Sequence, residues 1–189
     1  MNDLAEAAKE IDSFMKDQGW SYCILGGIAV PRWGQPRATQ DIDICLLAGL
    51  GSEAVFIQAI LAHFSPRIEA AADFAKLNRV LLVRAGNGVA VDIALGWTPF
   101  EQKMLARATL YQLAPSVSAP IASAEDLIIS KAFAGRPQDW VDVEGILSRQ
   151  RGKLDWDYIL SELAMLCELR ESPEIVDQLE RLRQKIEGD

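Results

Sequence analysis

The segment Asp41-Ile-Asp-Ile-Cys-Leu-Leu47 constrains the fold more than any other in this chain. Side chains of a strand alternate between faces, so Asp41 and Asp43 share one face while Ile42 and Ile44 share the other. A sheet that holds this strand is buried on the isoleucine side and carries two carboxylates on the opposite one. A second run, Val89 to Leu95, places Asp92 between Val91 and Ile93, where an isolated charge is costly. Asp92 therefore needs a partner. Another β-rich run, Arg79 to Ala85, precedes it, and the two flank Gly86-Asn87-Gly88 in the pattern of an antiparallel hairpin.

Helix and strand alternate along the rest of the chain until about residue 115, and helix dominates beyond. Leu4, Ala8, Ile11 and Met15 recur at helical spacing ahead of Gly19, which predicts a helix over 3–18. Tyr22 to Leu25 reads as a short buried strand running into Gly26-Gly27 and a helix start, Ile28 to Trp33, with Pro31 in its first turn. The loop Gly34 to Gln40 leads into the Asp41 strand, and residues 52–64 make another helix. Pro115 to Pro120 reads as a linker. Ser123, followed by Glu125 and Asp126, caps a helix that ends at Gly135, and Pro137 opens the next. Asp155 opens a third, with Ile159, Leu163 and Leu166 on one face, and Ser172-Pro173 opens a fourth, with Ile175, Leu179, Leu182 and Ile186. The expected class is α/β (α+β): a mixed β-sheet with flanking helices over residues 1–115, and a helical C-terminal region packed on it over 116–189.

Composition narrows the possible partners. With 189 residues, 50% of them hydrophobic, the chain can bury one substantial core, or a medium core with a helical appendage. No apolar stretch approaches the roughly 20 residues that span a bilayer, so no membrane association is expected. The first twenty residues carry Asp3, Glu6, Glu10 and Asp12, unlike a signal peptide. Cys23, Cys45 and Cys167 match no zinc or disulfide spacing, and the cytoplasm is the expected compartment. A formal net charge of −8 argues against extended DNA or RNA binding. Most of that charge lies between Asp155 and Asp189, where ten acidic residues face four basic ones.

An Asp-x-Asp by itself says little, because 14 aspartates among 189 residues produce it about once by chance. The chain carries its own control in Asp155-Trp-Asp157, at a helix start where acids favour the dipole and need no metal. Asp41-Ile-Asp43 differs: it lies in a strand, follows a Gly-Gly turn by a short loop, and has Asp92 on a second β-rich segment. Phosphoryl transfer uses such carboxylates to hold two divalent ions roughly 3.5 to 4 Å apart, which bridge the attacking and leaving oxygens. The Gly26-Gly27 turn, with backbone N–H groups at a helix start, can cradle phosphates.

The run GGIAVPRWGQPRATQDIDICL resembles the first signature of the nucleotidyltransferase superfamily, the DNA polymerase β-like fold, in its minimal, AbiEii-type abortive-infection branch. There a glycine pair is followed by Arg-x-Thr and Asp-x-Asp. VAVDIAL is similar to the strand that bears the family's third carboxylate. KAFAGRPQDWVDV resembles a downstream Lys-x-x-x-x-Arg-x-x-Asp-x-x-Asp helix motif of toxin-like members, and the similarity spans roughly residues 20–145. The resemblance implies that Asp41, Asp43 and Asp92 are catalytic and bind Mg²⁺ (or Mn²⁺), and that Gly26 and Gly27 hold phosphate. It further implies that Arg37 and Thr39 help place the phosphates, that Lys131 reaches the triphosphate, and that Arg136, Asp139 and Asp142 form a second motif. Two departures stand out: Gly27 occupies a position where many members have serine, and Gln138 one where toxin-like relatives often have a basic residue.

The implied activity is transfer of a nucleoside monophosphate from an NTP to an acceptor hydroxyl, with release of pyrophosphate. The acceptor is a protein, an RNA or a small molecule, and a toxin-antitoxin type implies a cognate antitoxin as partner. Two other classes fit the same carboxylates: a non-catalytic nucleotide- or partner-binding module, and a two-metal phosphoesterase that uses water as acceptor. Individual residues also have plainer readings. Lys131, Asp139 and Asp142 read equally as helix-surface ion pairs, and Arg37 as a surface residue. Trp33 and Trp97 read as packing ahead of base stacking, and the cysteines as small buried hydrophobes. His63 has no histidine partner for metal or acid–base chemistry.

Overall fold

The computed structural model describes residues 3–188. In chain order its elements are α1 (Asp3–Asp17), β1 (Tyr22–Leu25), α2 (Gly26–Trp33), β2 (Asp41–Leu47), α3 (Glu53–His63), β3 (Ser65–Pro66), α4 (Ala71–Asn78), β4 (Val80–Arg84), β5 (Ala90–Gly96), α5 (Pro99–Arg107), β6 (Thr109–Ala114), β7 (Val117–Ile121), α6 (Ala124–Ala134), α7 (Pro137–Arg149), α8 (Trp156–Arg170) and α9 (Glu174–Glu187). They divide into two compact units, Met1–Ile28 with Ala38–Ala122, and Ala29–Arg37 with Ser123–Asp189. Among the described residues no helix is long and apolar enough to cross a membrane.

The first unit is a mixed seven-stranded sheet in the order β3-β4-β5-β2-β1-β7-β6. The β2–β5 and β1–β7 pairs are parallel and the remaining neighbours antiparallel. The isoleucine side of β2 is the buried one. Ile42, Ile44 and Leu46 lie in register with Val91, Ile93 and Leu95 of β5, which in turn face Leu81 and Val83 of β4, and none is more than 1% exposed. Burying side chains of this size contributes about 1.5 to 3 kcal/mol each. Ile11 and Met15 of α1, which packs on β2 and β7, are fully buried as well. On the opposite side, a Cβ added at Gly96 would lie 2.9 Å from Cys45 Sγ and 3.3 Å from the Glu101 side chain of α5. That end of the acidic face is therefore covered by α5, while Asp41, Asp43 and Asp92 are half-buried at the other end.

The hairpin expected about Gly86-Asn87-Gly88 is β4–β5. Three expectations are corrected. Pro115 to Pro120 is not a linker: β7 occupies most of it and pairs with β6 and β1 inside the sheet. Its contact with β1 is a single register pair, Ile24 with Ile121, so the N–H that Pro120 lacks interrupts little of the ladder. Arg79 is not a strand residue but the left-handed C-cap of α4, at φ 55°. The helix after β1 begins at Gly26, not Ile28, which moves Pro31 from its first turn to its interior.

The second unit is helical. Leu127, Ile128 and Ile129 of α6, Val143 and Ile146 of α7, and Ile159 and Leu163 of α8 are fully buried in its core. Segment 29–37 belongs to this unit and is fastened along α7. Arg149 Nη1 donates to the carbonyls of Pro31 at 3.0 Å and Gly34 at 2.8 Å, and Gln150 Nε2 donates to that of Trp33 at 2.8 Å. Gly34 lies so near α7 that a Cβ there would come within 2.9 Å of Ile146 Cγ1.

Candidate functional site

The parallel pairing of β2 with β5 sets Asp43 directly opposite Asp92, and Asp41 opposite Ala90. Neighbouring strands lie about 4.8 Å apart, so this register makes Asp43 and Asp92 adjacent on the open face. On the other flank, Leu25 of β1 stands opposite Asp43, and the chain turns at once into α2. Gly26 makes that turn with φ +68°, and a Cβ on it would fall 1.7 Å from Asp43 Oδ2. The carboxylate thus occupies the space a side chain would take, and the backbone conformation independently favours glycine. The first N–H groups of α2 have no intrahelical acceptor and form its positive end beside this carboxylate.

The described neighbours of the three carboxylates differ. Thr39 Oγ1 donates to Asp41 Oδ1 at 2.8 Å. Asp43 rests on Gly26. Arg67 Nη1 donates to Asp92 Oδ1, and the Arg67 backbone N–H donates at 3.0 Å to the carbonyl of Leu82, the residue opposite Asp92 on β4. The partner that Asp92 needs is therefore a guanidinium in this structure. Arg67 escaped the sequence reading because it follows a two-residue strand with no periodicity; the only signal was the unpaired acid itself.

Among the described residues no three acidic, histidine or cysteine side chains gather closely enough to hold a metal ion. The backbone register brings Asp41, Asp43 and Asp92 to one face, but their side chains are directed to Thr39, Gly26 and Arg67. As an all-oxygen donor set these carboxylates suit Mg²⁺ or Mn²⁺ and not a softer ion.

Arg37, Lys131, Arg136, Asp139 and Asp142 come together in the second unit. Lys131 Nζ of α6 lies 2.6 Å from Asp142 Oδ2 and 3.3 Å from Asp139 Oδ1 of α7. Arg37 grips the same Asp142 carboxylate with two bonds, Nε to Oδ1 at 2.8 Å and Nη2 to Oδ2 at 2.9 Å. Arg136 Nε reaches Asp139 Oδ2 at 2.6 Å, and Gln138 Nε2 reaches Asp142 Oδ1 at 3.3 Å. Arg136 is exposed and Arg37 half-buried, but the lysine and the two acids between them are not on the surface: Lys131, Asp139 and Asp142 are 5%, 3% and 4% exposed. Gly135, with φ +69°, ends α6 so that α7 folds back and its i, i+3 acids meet the lysine. Burial disfavours the charge on Asp142, yet hydrogen bonds from Arg37 and Lys131 outweigh it and hold its carboxyl below the usual range.

Arg32 lies over the Trp33 ring at 4.2 Å, and Trp97 is 41% exposed with Arg79 at 5.8 Å from its ring. His63 stacks on Phe14 at 4.8 Å. All three cysteines are buried thiols outside any disulfide, and burial pushes the Cys45 thiol well above its ordinary value.

No protein-family model matches the sequence, and no curated protein does. Solved structures do match the fold. An antigenic nucleotidyltransferase-like protein from Paracoccidioides brasiliensis superposes with a TM-score of 0.52 at 14% identity, over 94% of this chain and 92% of its own. ANT(2″)-Ia in complex with adenylyl-2″-tobramycin superposes with a TM-score of 0.51 at 17% identity, over 97% and 99% of the two chains. The antibiotic-resistance factor ANT(2″)-Ia in solution gives 0.50 at 16% identity, over 96% and 90%.

Proposed function

We propose that this chain, which has the nucleotidyltransferase fold, transfers a nucleoside monophosphate from an NTP to an acceptor hydroxyl. The observation that carries this reading is the register of Asp43 with Asp92 on parallel strands, with Asp41 two residues before Asp43 and Gly26 beneath it. In the reaction the acceptor oxygen attacks the α-phosphorus and forms a new P–O bond. The α–β phosphoanhydride bond breaks, its electrons leave with pyrophosphate, and the hydroxyl proton passes to Asp92 as general base. Thr39 fixes the orientation of Asp41, and the first-turn N–H groups of α2 favour phosphate near Gly26 and Gly27. Asp41 and Asp43 would hold Mg²⁺, with Asp92 on the acceptor side, and the ion would supply charge neutralisation for the phosphoryl oxygens. Arg37 and Lys131, which the resemblance assigns to phosphate, are engaged by acids of the second unit, and no step here uses them.

Thermal melting of wild type and Asp43→Asn with each of the four NTPs, with and without Mg²⁺, tests the site. A metal-dependent upward shift for one nucleotide, lost in the mutant, is expected. Labelled NTP of that base, incubated with candidate acceptors, should then give an adduct and pyrophosphate. The adenylylated antibiotic bound to ANT(2″)-Ia makes a small-molecule hydroxyl the first acceptor class to try. A nucleotide shift without pyrophosphate would support a binding module instead, and free monophosphate a phosphoesterase. The abortive-infection type is a finer reading that rests on the resemblance alone. It predicts growth arrest on induced expression that Asp43→Asn abolishes.

A further inference from the structure

Asp43 and Asp92 stand directly opposite one another, an arrangement that is destabilising for like charges. Arg67 supplies the opposite charge, on a backbone anchored to β4 and a guanidinium bonded to Asp92 Oδ1. The Arg67 side chain is 24% exposed and that of Asp92 33%, so solvent screens the pair only in part. We propose that Arg67 is the resident counter-cation of Asp92 and competes with a divalent metal ion for that carboxylate. The inference rests on Asp92 being a site carboxylate. Another anion of matching geometry relieves the competition by drawing off the guanidinium, and the phosphates of an NTP provide one. Metal loading at Asp92 is then coupled to arrival of the nucleotide, and by reciprocity nucleotide binding is strengthened by the metal.

A titration of the nucleotide-free, full-length protein with Mn²⁺, following free Mn²⁺ by electron paramagnetic resonance, tests this. Arg67→Met should bind Mn²⁺ roughly fivefold to tenfold more tightly than wild type, which is about 1 to 1.4 kcal/mol. Adding Asp92→Asn should cancel the gain, and Arg67→Lys, which keeps the charge, should stay near wild type. Circular dichroism checks folding; should Arg67→Met not fold, Arg67→Gln takes its place with the same expectation. Equal Mn²⁺ binding in wild type and the neutral variant, or a gain that survives Asp92→Asn, overturns the proposal. With no nucleotide or acceptor present, this result stands or falls separately from any transferase assay.

Discussion

Gly26 and Asp43 compete for one small volume, and glycine is what lets the carboxylate win. Gly26→Ala adds a methyl group 1.7 Å from Asp43 Oδ2 at a positive φ. The left-handed conformation costs an alanine roughly 1 to 2 kcal/mol before the clash is counted. Urea unfolding should show at least that loss, and nucleotide-dependent stabilisation should disappear because Asp43 must move. Thr39→Val removes the hydroxyl that donates to Asp41 while keeping the shape. A hydrogen bond to a charged group is worth about 1.5 to 3 kcal/mol. If that is spent on positioning, transfer should slow by roughly tenfold to a hundredfold, with little change in melting. Asp142 makes a prediction about pH. Its folded pKa is depressed, so its contribution to stability is complete above the unfolded value of about 3.9 and is lost as pH falls through the lower folded value. The urea midpoint of wild type should fall on acidification below about pH 4, and Asp142→Asn should lose less over the same range.

Capping residues made some of the helices legible. Ser123 Oγ accepts from the Asp126 backbone N–H at 3.1 Å at the start of α6, and Asp155 Oδ1 from that of Tyr158 at 3.1 Å at the start of α8. Ser123→Ala should cost about 1 kcal/mol in urea unfolding. The helix over 3–18 and the carboxylate-bearing strand were equally plain, because their periods of 3.6 and 2 are carried by several large apolar side chains. α5 carries a full capping box, Thr98 with Glu101, yet only Phe100 and Met104 of its nine residues are buried, too few to show a period. β3, with two exposed residues, has none to show. β7 was hidden by Pro115 just before it and Pro120 within it.

At the scale of the whole molecule, the two units are stabilised by different means. The sheet unit depends on the apolar face of β2, β4 and β5. The helical unit adds a buried ionic cluster, where removing one partner leaves the others desolvated and uncompensated. Lys131→Met leaves Asp139 and Asp142 without their lysine, and should destabilise by about 3 to 5 kcal/mol in chemical unfolding. Asp43→Asn, on a half-buried face, should leave the unfolding curve nearly unchanged.

Local pattern was enough to place Asp41 and Asp43 on one face, to put Asp92 in a strand of a hairpin, and to pair Gly26-Gly27 with a helix start, because alternation and turn chemistry act over a few residues. The sequence also showed that Asp92 needed a partner. Only the tertiary structure decided that β2 and β5 are parallel neighbours with Asp43 opposite Asp92, that Arg67 is that partner across β4, and that the half-buried Arg37 joins the buried pair of Lys131 and Asp142. Strand order and the meeting of residues 25 or 105 positions apart follow from how the apolar faces pack, and no local period encodes that.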